Sequence, residues 1–350
     1  MKTQTMKEKV AVVVTTINEP TPGLHKLAAT CSKHEHDLIV IGDESSPATF
    51  DLQGCRYYSL KEQRELGLRL GDLCPTRHYV RKNIGYLQAI RGGATIILET
   101  DDDNIPYEEF FTSRERRPYV RVISEGGWVN VYSYFSDVNV WPRGLPLEHV
   151  GSPVPSFEKL IRQVIDCPIQ QALSDGDPDV DAIYRLTLPL PLSFNRTRRI
   201  ALTADTWCPF NSQNTAWWSD AFLLLYLPHC GFRMTDIWRS FVAQRVAWTN
   251  EWGVLFQGPT AEQRRNEHNL MSDFADEVPG YLHNGSICKI LSSLNLQAGS
   301  QHIADNMRVC YESLVKAEFL DRGELALLEA WIEDVTAARG AARAAGQSRF

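Results

Sequence analysis

Three consecutive aspartates, Asp101, Asp102 and Asp103, directly follow a short apolar run. Adjacent carboxylates repel one another, and a bound cation would relieve that repulsion. Carboxylate oxygens suit hard divalent cations such as Mg²⁺ or Mn²⁺, and such sites often use one or two carboxylates while phosphates supply further ligands. The triplet predicts a metal-diphosphate site. The alternative is a solvated acidic turn.

The residues that lead into the triplet predict a strand buried on both faces. Residues 96–98 are Ile, Ile and Leu, bounded by two glycines on one side and by charge on the other. Such a run is typical of a central parallel strand. Ligands of open α/β sheets bind outside the carboxyl ends of the strands, so we expect the aspartates to face a crevice.

Two earlier strands are predicted in the same sheet. Residues 9–16 and 37–43 are rich in β-branched residues and end in polar ones, with a helix expected from about 24 to 33. Strand, helix, strand is the beginning of a Rossmann-like α/β sheet. No G-x-G-x-x-G motif follows the first strand, so a dinucleotide cofactor is not predicted.

Residues 77–90 predict a helix before the acidic strand. Apolar residues recur every three or four positions from Val80 to Ile90, which indicates one buried face, and Arg81 and Lys82 lie off that face. Either cation could bind a diphosphate, for which arginine offers bidentate geometry. Solvation of the outer helix face is the alternative.

Other polar clusters could line a sugar pocket. Asp177 and Asp179 belong to an acidic segment that lacks the twelfth-position glutamate of an EF-hand, and a surface turn is the alternative. Asn211, Gln213 and Asn214 offer amide donors and acceptors that suit sugar hydroxyls, although amides are also common in turns.

An amphipathic helix is predicted near residues 235–248, with Thr235 as its N-cap. Asp236 could be a general base at the mouth of the pocket, or the helix dipole alone could favour it there. Trp238 could stack on a sugar ring, although most tryptophans belong to the core.

A later segment, residues 260–270, concentrates cations. Arg264 and Arg265 could hold phosphates, and His268 could complete a metal site, although a lone histidine in a charged segment is usually solvated. Residues 301–345 predict helix with an apolar stripe. That tail would pack on the main domain or on a second subunit, as in a homodimer.

The composition excludes some classes of function. A net charge of -7 argues against nucleic acid as a partner. No apolar run reaches the roughly 20 residues of a membrane span, and the charged start lacks a secretory apolar core. The eight cysteines contain no C-x-x-C pair, which favours a reducing compartment and a cytoplasmic location.

Several motifs occur in an order that resembles the STELLO glycosyltransferase-like family and, more distantly, the reversibly glycosylated polypeptides, which are nucleotide-sugar mutases and transferases. The resemblance covers roughly residues 8–290. The segments that carry it are 81–86, 99–104, 176–181, 209–215 and 264–268.

The resemblance implies an α/β fold of the GT-A type, a Rossmann-like fold that binds nucleotide-diphosphate-sugars. It implies such a donor, with a UDP-sugar favoured, and a Mn²⁺ or Mg²⁺ ion that bridges the aspartates to the diphosphate. Asp101 and Asp103 become metal and ribose contacts, and Asp102 is counted with the donor contacts. Thr15 and Asp43 become nucleoside contacts.

These implications predict a GT-A domain over residues 8–290 and a C-terminal helical extension over 300–346. The expected activity is metal-dependent transfer of a sugar to a hydroxyl of a glycan or small molecule, with Asp236 as the base and polysaccharide biosynthesis as the setting. A nucleotide-sugar mutase and a non-catalytic scaffold are the alternatives. The triplet argues against the scaffold, because three carboxylates without a cation would only destabilise the fold.

Overall fold

A computed structural model describes residues 8–124, 126–266 and 269–347. Its strands are β1 Val10–Thr15, β2 Asp37–Ile41, β3 Arg56–Tyr58, β4 Ile96–Thr100, β5 Asn104–Pro106, β6 Tyr119–Ile123, β7 Gly127–Trp128, β8 Arg162–Val164, β9 Ile169–Gly176, β10 Arg199–Leu202, β11 Thr206–Trp207, β12 Asn214–Trp218 and β13 Val254–Gln263. The helices are α1 Pro22–His34, α2 Leu60–Glu65, α3 Arg69–Leu73, α4 Lys82–Arg91, α5 Ala182–Thr187, α6 Thr235–Trp248, α7 Leu270–Ser293, α8 Ile303–Lys316 and α9 Glu324–Gln347.

Eleven of the strands described form one mixed sheet in the order β3-β2-β1-β4-β12-β9-β13-β10-β6-β8, with β5 paired to β13. The first four strands are parallel, and β12 then runs antiparallel to both β4 and β9. The interiors of β1 and β4 are buried, as their apolar β-branched runs predict. Their carboxyl ends therefore meet at one edge of the sheet.

The helix between β1 and β2 is where the sequence places it. Thr21 caps α1 by accepting a hydrogen bond from the Leu24 amide at 3.2 Å. Gly23 lies so close to the loop after β4 that a Cβ atom there would be 2.5 Å from the carbonyl oxygen of Asn104. The first turn of α1 is thus packed against the acidic segment.

The predicted helix over residues 77–90 is shorter than expected. Arg77 has a φ of 54°, a left-handed conformation that an α-helix cannot continue through, and α4 begins only at Lys82 after a 3-10 turn. Its outer face is also buried because α9 packs over the helix, and Lys82 is buried separately, with its ammonium group donating to Thr100, Asp101 and Ser212. The expectation of one buried stripe with solvated cations on the other face is wrong.

The C-terminal segment forms two helices, α8 and α9, rather than one. Glu318, between them, has a φ of 63°. α8 packs on α6 and α7, while α9 packs on α3 and α4, so the tail lies on the chain's own main body. The boundary between a main domain at 8–290 and an extension at 300–346 stays a prediction, as does a homodimer.

The α/β fold class predicted from the sequence is confirmed: a mixed sheet with a Rossmann-like parallel half is followed by C-terminal helices. The finer assignment to the GT-A type stays a prediction. The α6 helix is confirmed at Thr235–Trp248, but Met234 holds the N-cap position and Thr235 does not cap. None of the helices in the described ranges combines the length and the apolar character that crossing a bilayer requires.

Candidate active site

A cavity of about 620 Å³ opens where β1, β2 and β4 end. Its first wall consists of residues that directly follow those strands, with Thr15, Thr16, Asp43 and the three aspartates among them. Other lining residues come from the loops before α6 and after β13. The position agrees with the rule that open α/β sheets bind ligands beyond the carboxyl ends of their strands.

Asp102 ties the acidic segment to the loop after β1. Its carboxylate accepts hydrogen bonds from the Thr16 hydroxyl at 2.5 Å and from the Asn18 amide at 2.9 Å, and its carbonyl oxygen accepts one from the Thr21 hydroxyl. The side chain is buried among these donors. Asp102 therefore shapes the cavity wall, and its predicted donor contact stays a prediction.

The carboxylate of Asp101 lies next to the ammonium group of a buried lysine. Lys82 Nζ is 3.2 Å from Asp101 Oδ1 and also donates to the carbonyl oxygens of Thr100 and Ser212. The Tyr79 hydroxyl donates to the same carboxylate oxygen at 2.8 Å. Burial raises the pKa of Asp101, although Lys82 and Tyr79 oppose that rise. Lys82 thus offsets the negative charge of Asp101. Lys82 itself is not among the residues that line the cavity.

Asp103 is held by an amide rather than by a cation. Gln263 Nε2, at the end of β13, donates to both of its oxygens, at 3.1 and 3.2 Å. Burial, followed by repulsion from Asp101, raises the pKa of Asp103 to about 6. A nearby positive charge would relieve both effects.

These two carboxylates could serve as ligands to a divalent cation. Both supply hard oxygens, and both have pKa values raised by burial, so a cation would be favoured beside them. Within the described residues, no three or more His, Cys, Asp or Glu side chains gather into a metal-ligand cluster. His268 lies outside the residues that the structure describes. A cation here would need oxygens from a bound ligand.

Asp236 does not lie free at the mouth of the cavity. The guanidinium of Arg143 donates to both of its oxygens, and the Ser212 amide and hydroxyl each donate to Oδ2 at 3.2 Å. Burial alone would raise the pKa of Asp236, but Arg143 lowers it to about 2. A carboxylate that holds a proton so weakly is a poor general base near neutral pH. The geometry argues against that predicted role and favours one in positioning Arg143.

Two further arginines line the cavity. Arg233 donates to Glu277 at 2.9 and 3.1 Å, and Arg265 donates to Asp273 at 2.8 Å. Both side chains are nearly buried, with exposures of 12% and 8%. Arginines already fixed by carboxylates can bind phosphate oxygens without first losing side-chain entropy.

Arg81 also borders the cavity, but its donors are used inside the protein. Nε and Nη2 donate to the side-chain oxygen of Gln63, and Nη1 donates to the carbonyl oxygen of Cys74. The side chain of Asp43 is also fixed by the protein, because its carboxylate accepts hydrogen bonds from the backbone amides of Glu44 and His78. Asp43 remains a candidate nucleoside contact, whereas Arg81 is a weaker candidate for the diphosphate.

The predicted sugar pocket is only partly assembled. Asp179 and Gln213 line the cavity, whereas Asp177, Asn211, Asn214 and Trp238 do not, and neither does Arg264, which was expected to hold a phosphate. Arg264 is exposed beside Glu262, and Asp177 pairs with Arg185. Asn214 is buried at the start of β12 and Asn211 in the loop before it, and Trp238 is buried with its indole N–H donated to Asn284. These residues have structural partners, which argues against direct contact with a sugar.

Several residues at the site were not singled out from the sequence. Arg143 and Arg233 lie in loops and approach their partners only through the fold, so no local pattern marks them. Gln263 is the last residue of a strand, and a single amide side chain at that position is not a recognisable motif. Phe232 borders the cavity with its side chain half exposed, and its position two residues before Met234 carries no distinctive signal.

Comparison with known proteins identifies relatives. The sequence model of the family described as STELLO glycosyltransferases matches residues 233–341. Probable glycosyltransferase STELLO1 of Arabidopsis thaliana is 29% identical over 348 residues, covering 93% of this chain and 44% of that protein. Probable glycosyltransferase STELLO2 of the same plant is 31% identical over 302 residues, covering 80% and 39%. The chain thus spans less than half the length of either relative.

Solved structures give a weaker similarity. Glucosyl-3-phosphoglycerate synthase of Mycobacterium tuberculosis has 13% identity and a TM-score of 0.39, covering 79% of this chain and 81% of that one. The same enzyme in complex with Mn²⁺, uridine diphosphate and glucosyl-3-phosphoglycerate has 14% identity and a TM-score of 0.40, covering 79% and 80%.

The segment matched by the family model includes Arg233, Asp236 and Arg265, and therefore one wall of the cavity. The more distant similarity to the reversibly glycosylated polypeptides stays a prediction. The resemblance that the sequence motifs predicted is confirmed by the family model and by both plant proteins, and the chain is a relative of the STELLO glycosyltransferases.

Proposed function

We propose that this protein is a metal-dependent glycosyltransferase that moves a sugar from a nucleotide-diphosphate-sugar to an acceptor hydroxyl. The observation that carries the proposal is the presence of Asp101 and Asp103 in one cavity with Arg233 and Arg265. Buried carboxylates favour a divalent cation, and arginines favour phosphate oxygens. A diphosphate with its cation satisfies both groups at once.

Asp101 and Asp103 would hold Mn²⁺ or Mg²⁺, and diphosphate oxygens would complete its coordination. When bound, the cation offsets negative charge on the departing nucleoside diphosphate. Arg233 and Arg265 add positive charge from the loops before α6 and after β13, where their carboxylate partners hold them in place. Such fixed charges stabilise a developing anion without reorganisation during the reaction.

The nucleoside would lie against the ends of β1 and β2. Thr15 and Asp43 end or follow those strands, and two backbone amides fix the Asp43 carboxylate so that it can accept from a donor's hydroxyl or base. We propose a UDP-sugar as the first donor to test. Lys82 takes no part in donor contact in this proposal, because it is fully buried and keeps Asp101 ionised from below.

The acceptor would enter beside Phe232, whose half-exposed ring offers the flat apolar surface on which sugar rings stack. This residue takes the role first expected of Trp238. A glycan or a small hydroxylated molecule, in polysaccharide biosynthesis, is the proposed acceptor class. Phe232 also contacts the ring of Tyr79 edge to face, with ring centroids 6.1 Å apart.

The first experiment is calorimetric titration with UDP, GDP, CMP and dTDP and their sugars, each with and without Mn²⁺. We expect cation-dependent binding of one nucleotide class, weakened at least tenfold in Asp103→Asn. That substitution keeps the size of the side chain and an acceptor for Gln263. Asp137→Asn, an exposed aspartate outside the cavity, is the matched control and should bind as the unmodified chain does.

Equal affinity in Asp103→Asn, with the metal present, would contradict the assignment of the diphosphate site. Product analysis then separates the enzymatic alternatives. Transfer to an added acceptor supports the glycosyltransferase, whereas isomerisation of the donor without an acceptor would identify a mutase. Absence of binding to every nucleotide would favour the scaffold.

A further inference from the structure

A second cavity, of about 330 Å³, lies along the middle of β13. It shares no lining residue with the candidate active site. Its walls come from the segment after β5, from β9 and β10, and from residues 257–260 of β13. The cavity exists because β13 bulges here: between its pairings of Gln257 with Ala172 and of Ala261 with Ser174, it contains two residues more than β9 does.

Three arginines, Arg114, Arg196 and Arg199, line this second cavity. Arg196 is held by Asp175 at 3.0 Å and lies over the ring of Tyr107 at 4.4 Å. Among the residues that the structure describes, no carboxylate lies within 4.0 Å of the charged nitrogens of Arg114 or Arg199. Glu109 and Glu115 border the cavity but pair with neither arginine. Two cations therefore line it without a carboxylate partner.

The charge on Arg114 is costly in the free protein. Burial lowers the pKa of Arg114 to about 10, with no neighbouring charge that offsets it. Nε of Arg199 is buried and has no hydrogen-bond partner. Arg114 donates a hydrogen bond to the Thr112 carbonyl oxygen at 3.4 Å and lies over the Phe110 ring, so it has neutral partners but no counter-ion. A desolvated cation without a counter-ion reduces stability. An anionic ligand would supply the missing partner.

The fourth group in the cavity indicates a ligand that also donates hydrogen bonds. Gln170 is 1% exposed, and its Oε1 has no partner. The Nε2 atom of this amide donates to the carbonyl oxygens of Glu115 and Cys167, which fixes Oε1 as the free acceptor. A hydroxyl on the ligand would satisfy it. A ligand that carries both an oxyanion and a hydroxyl group is a small hydroxylated anion.

We propose that the second cavity binds an anionic sugar, a sugar phosphate or a sugar acid. Its oxyanion pairs with Arg114 and Arg199, and one of its hydroxyls donates to Gln170 Oε1. Planar guanidinium groups accommodate both phosphate and carboxylate, so the two sources share one recognition chemistry. This inference does not rest on the function proposed for the first cavity.

The test is calorimetric titration of the full chain with glucose 6-phosphate, glucuronate and neutral glucose. We expect an anionic sugar to bind and glucose not to bind. The stronger of the two responses identifies the phosphate or the carboxylate as the natural group. Arg199→Gln and Arg114→Gln should each weaken that binding at least tenfold. Arg162→Gln, an exposed arginine outside both cavities, is the matched control and should leave it unchanged.

Thermal melts without ligand separate recognition from a structural role. Because Arg199 lacks a carboxylate partner, Arg199→Gln should melt no lower than Arg162→Gln. A clearly lower melting temperature would make Arg199 a structural residue and overturn the proposal. Binding of an anionic sugar with equal affinity in Arg199→Gln would place it elsewhere, and absence of binding, or equal binding of glucose, would also overturn it.

Discussion

Arg143 holds two carboxylates with one guanidinium: Nη2 lies 2.9 Å from Asp236 Oδ2, while Nε and Nη2 each lie 2.8 Å from an oxygen of Asp179. All three side chains are buried. The cation therefore joins the loop before α5 to the first turn of α6 at the cavity lining. The ion pair between Arg143 and Asp236 keeps Asp236 ionised. The charge state of this aspartate in turn limits the chemistry that it can perform.

The substitution Asp236→Asn should weaken donor binding and turnover by similar factors, of about tenfold. The reason is that Asp236 fixes Arg143 and accepts two hydrogen bonds from Ser212, so its loss shifts the wall as a whole. Donor affinity from calorimetry and steady-state rates for the same protein samples measure both effects. Asp137→Asn serves again as the control.

A different result would restore the role first expected of Asp236. A general base contributes roughly 10²- to 10⁴-fold to the rate. If turnover falls by that factor while donor affinity is unchanged, Asp236 acts as the base despite a pKa near 2.

The folded protein should become less stable as the pH rises from about 4 to about 6, because of Asp103. Its pKa is about 6 when folded and 3.8 ordinarily, so within this range the folded state binds more protons than the unfolded one. Stability then falls with rising pH. Asp103→Asn removes the effect and should be more stable at pH 7.5 by about 1–3 kcal/mol, with little difference at pH 4.

Urea denaturation without metal at four values between pH 4 and 7.5 checks this prediction. A variant that is no more stable than the unmodified chain at pH 7.5 would show that Asp103 ionises without penalty. In that case the carboxylate pair would not favour a cation on the grounds given above.

Lys82→Met should destabilise the protein by roughly 2–4 kcal/mol at neutral pH. Breaking a buried ion pair leaves one charge uncompensated. The cost is below that of a fully buried pair because the side chain of Asp101 is 29% exposed, whereas that of Lys82 is fully buried. The double variant Lys82→Met with Asp101→Asn should recover much of the loss, since it removes the orphaned charge.

Chemical denaturation of the single and double variants provides the measurement. Lowering the pH should also reduce the loss in Lys82→Met, because Asp101 then takes up a proton. A loss that is the same in the double variant and independent of pH would assign the effect to packing of the lysine stem.

Glu324, at the start of α9, should make unfolding pH-dependent at higher pH. Burial raises its pKa to about 8, against 4.5 ordinarily, while hydrogen bonds from Tyr226 and the His229 amide oppose that rise. Between these values the folded state retains a proton that the unfolded state releases. Stability should therefore fall as the pH rises, with a slope approaching 1.4 kcal/mol per pH unit from this group.

Glu324→Gln should abolish that slope, which urea denaturation at pH 5.5, 7 and 8.5 would reveal. Glu312→Gln, on the exposed face of α8, is the control and should retain it. An unchanged slope in Glu324→Gln would show that this carboxyl is ionised in the folded protein.

The parts of the fold and site that were predictable from the sequence depend on local signals. The strands before Thr15, Asp43 and Asp101 are short apolar runs that end abruptly, and topology alone brings their carboxyl ends together. The burial of the outer face of α4 was not predictable, because α9, which packs on it, comes from a distant part of the chain. The amphipathic pattern of a helix shows which of its side chains are polar. It does not show which faces of the helix are covered by a segment that is distant in sequence.

The arginine wall shows the same limit. Arg143, Asp179 and Asp236 lie in three separate segments, and only the folded chain places them within hydrogen-bonding distance. Trp238 and Phe232 show a second limit: both flank the start of α6, but sequence position does not reveal which aromatic ring faces the cavity. The structure buries the tryptophan and leaves the phenylalanine at the surface.

The packing of α9 on α4 has a consequence for the order in which the protein assembles. Contacts between residues so distant in sequence form late, because a long loop must close before they gain any interaction energy. During synthesis the aspartate segment and α4 leave the ribosome well before α9, the helix that packs on α4. The contact between α4 and α9 therefore forms only after nearly the whole chain has been synthesised.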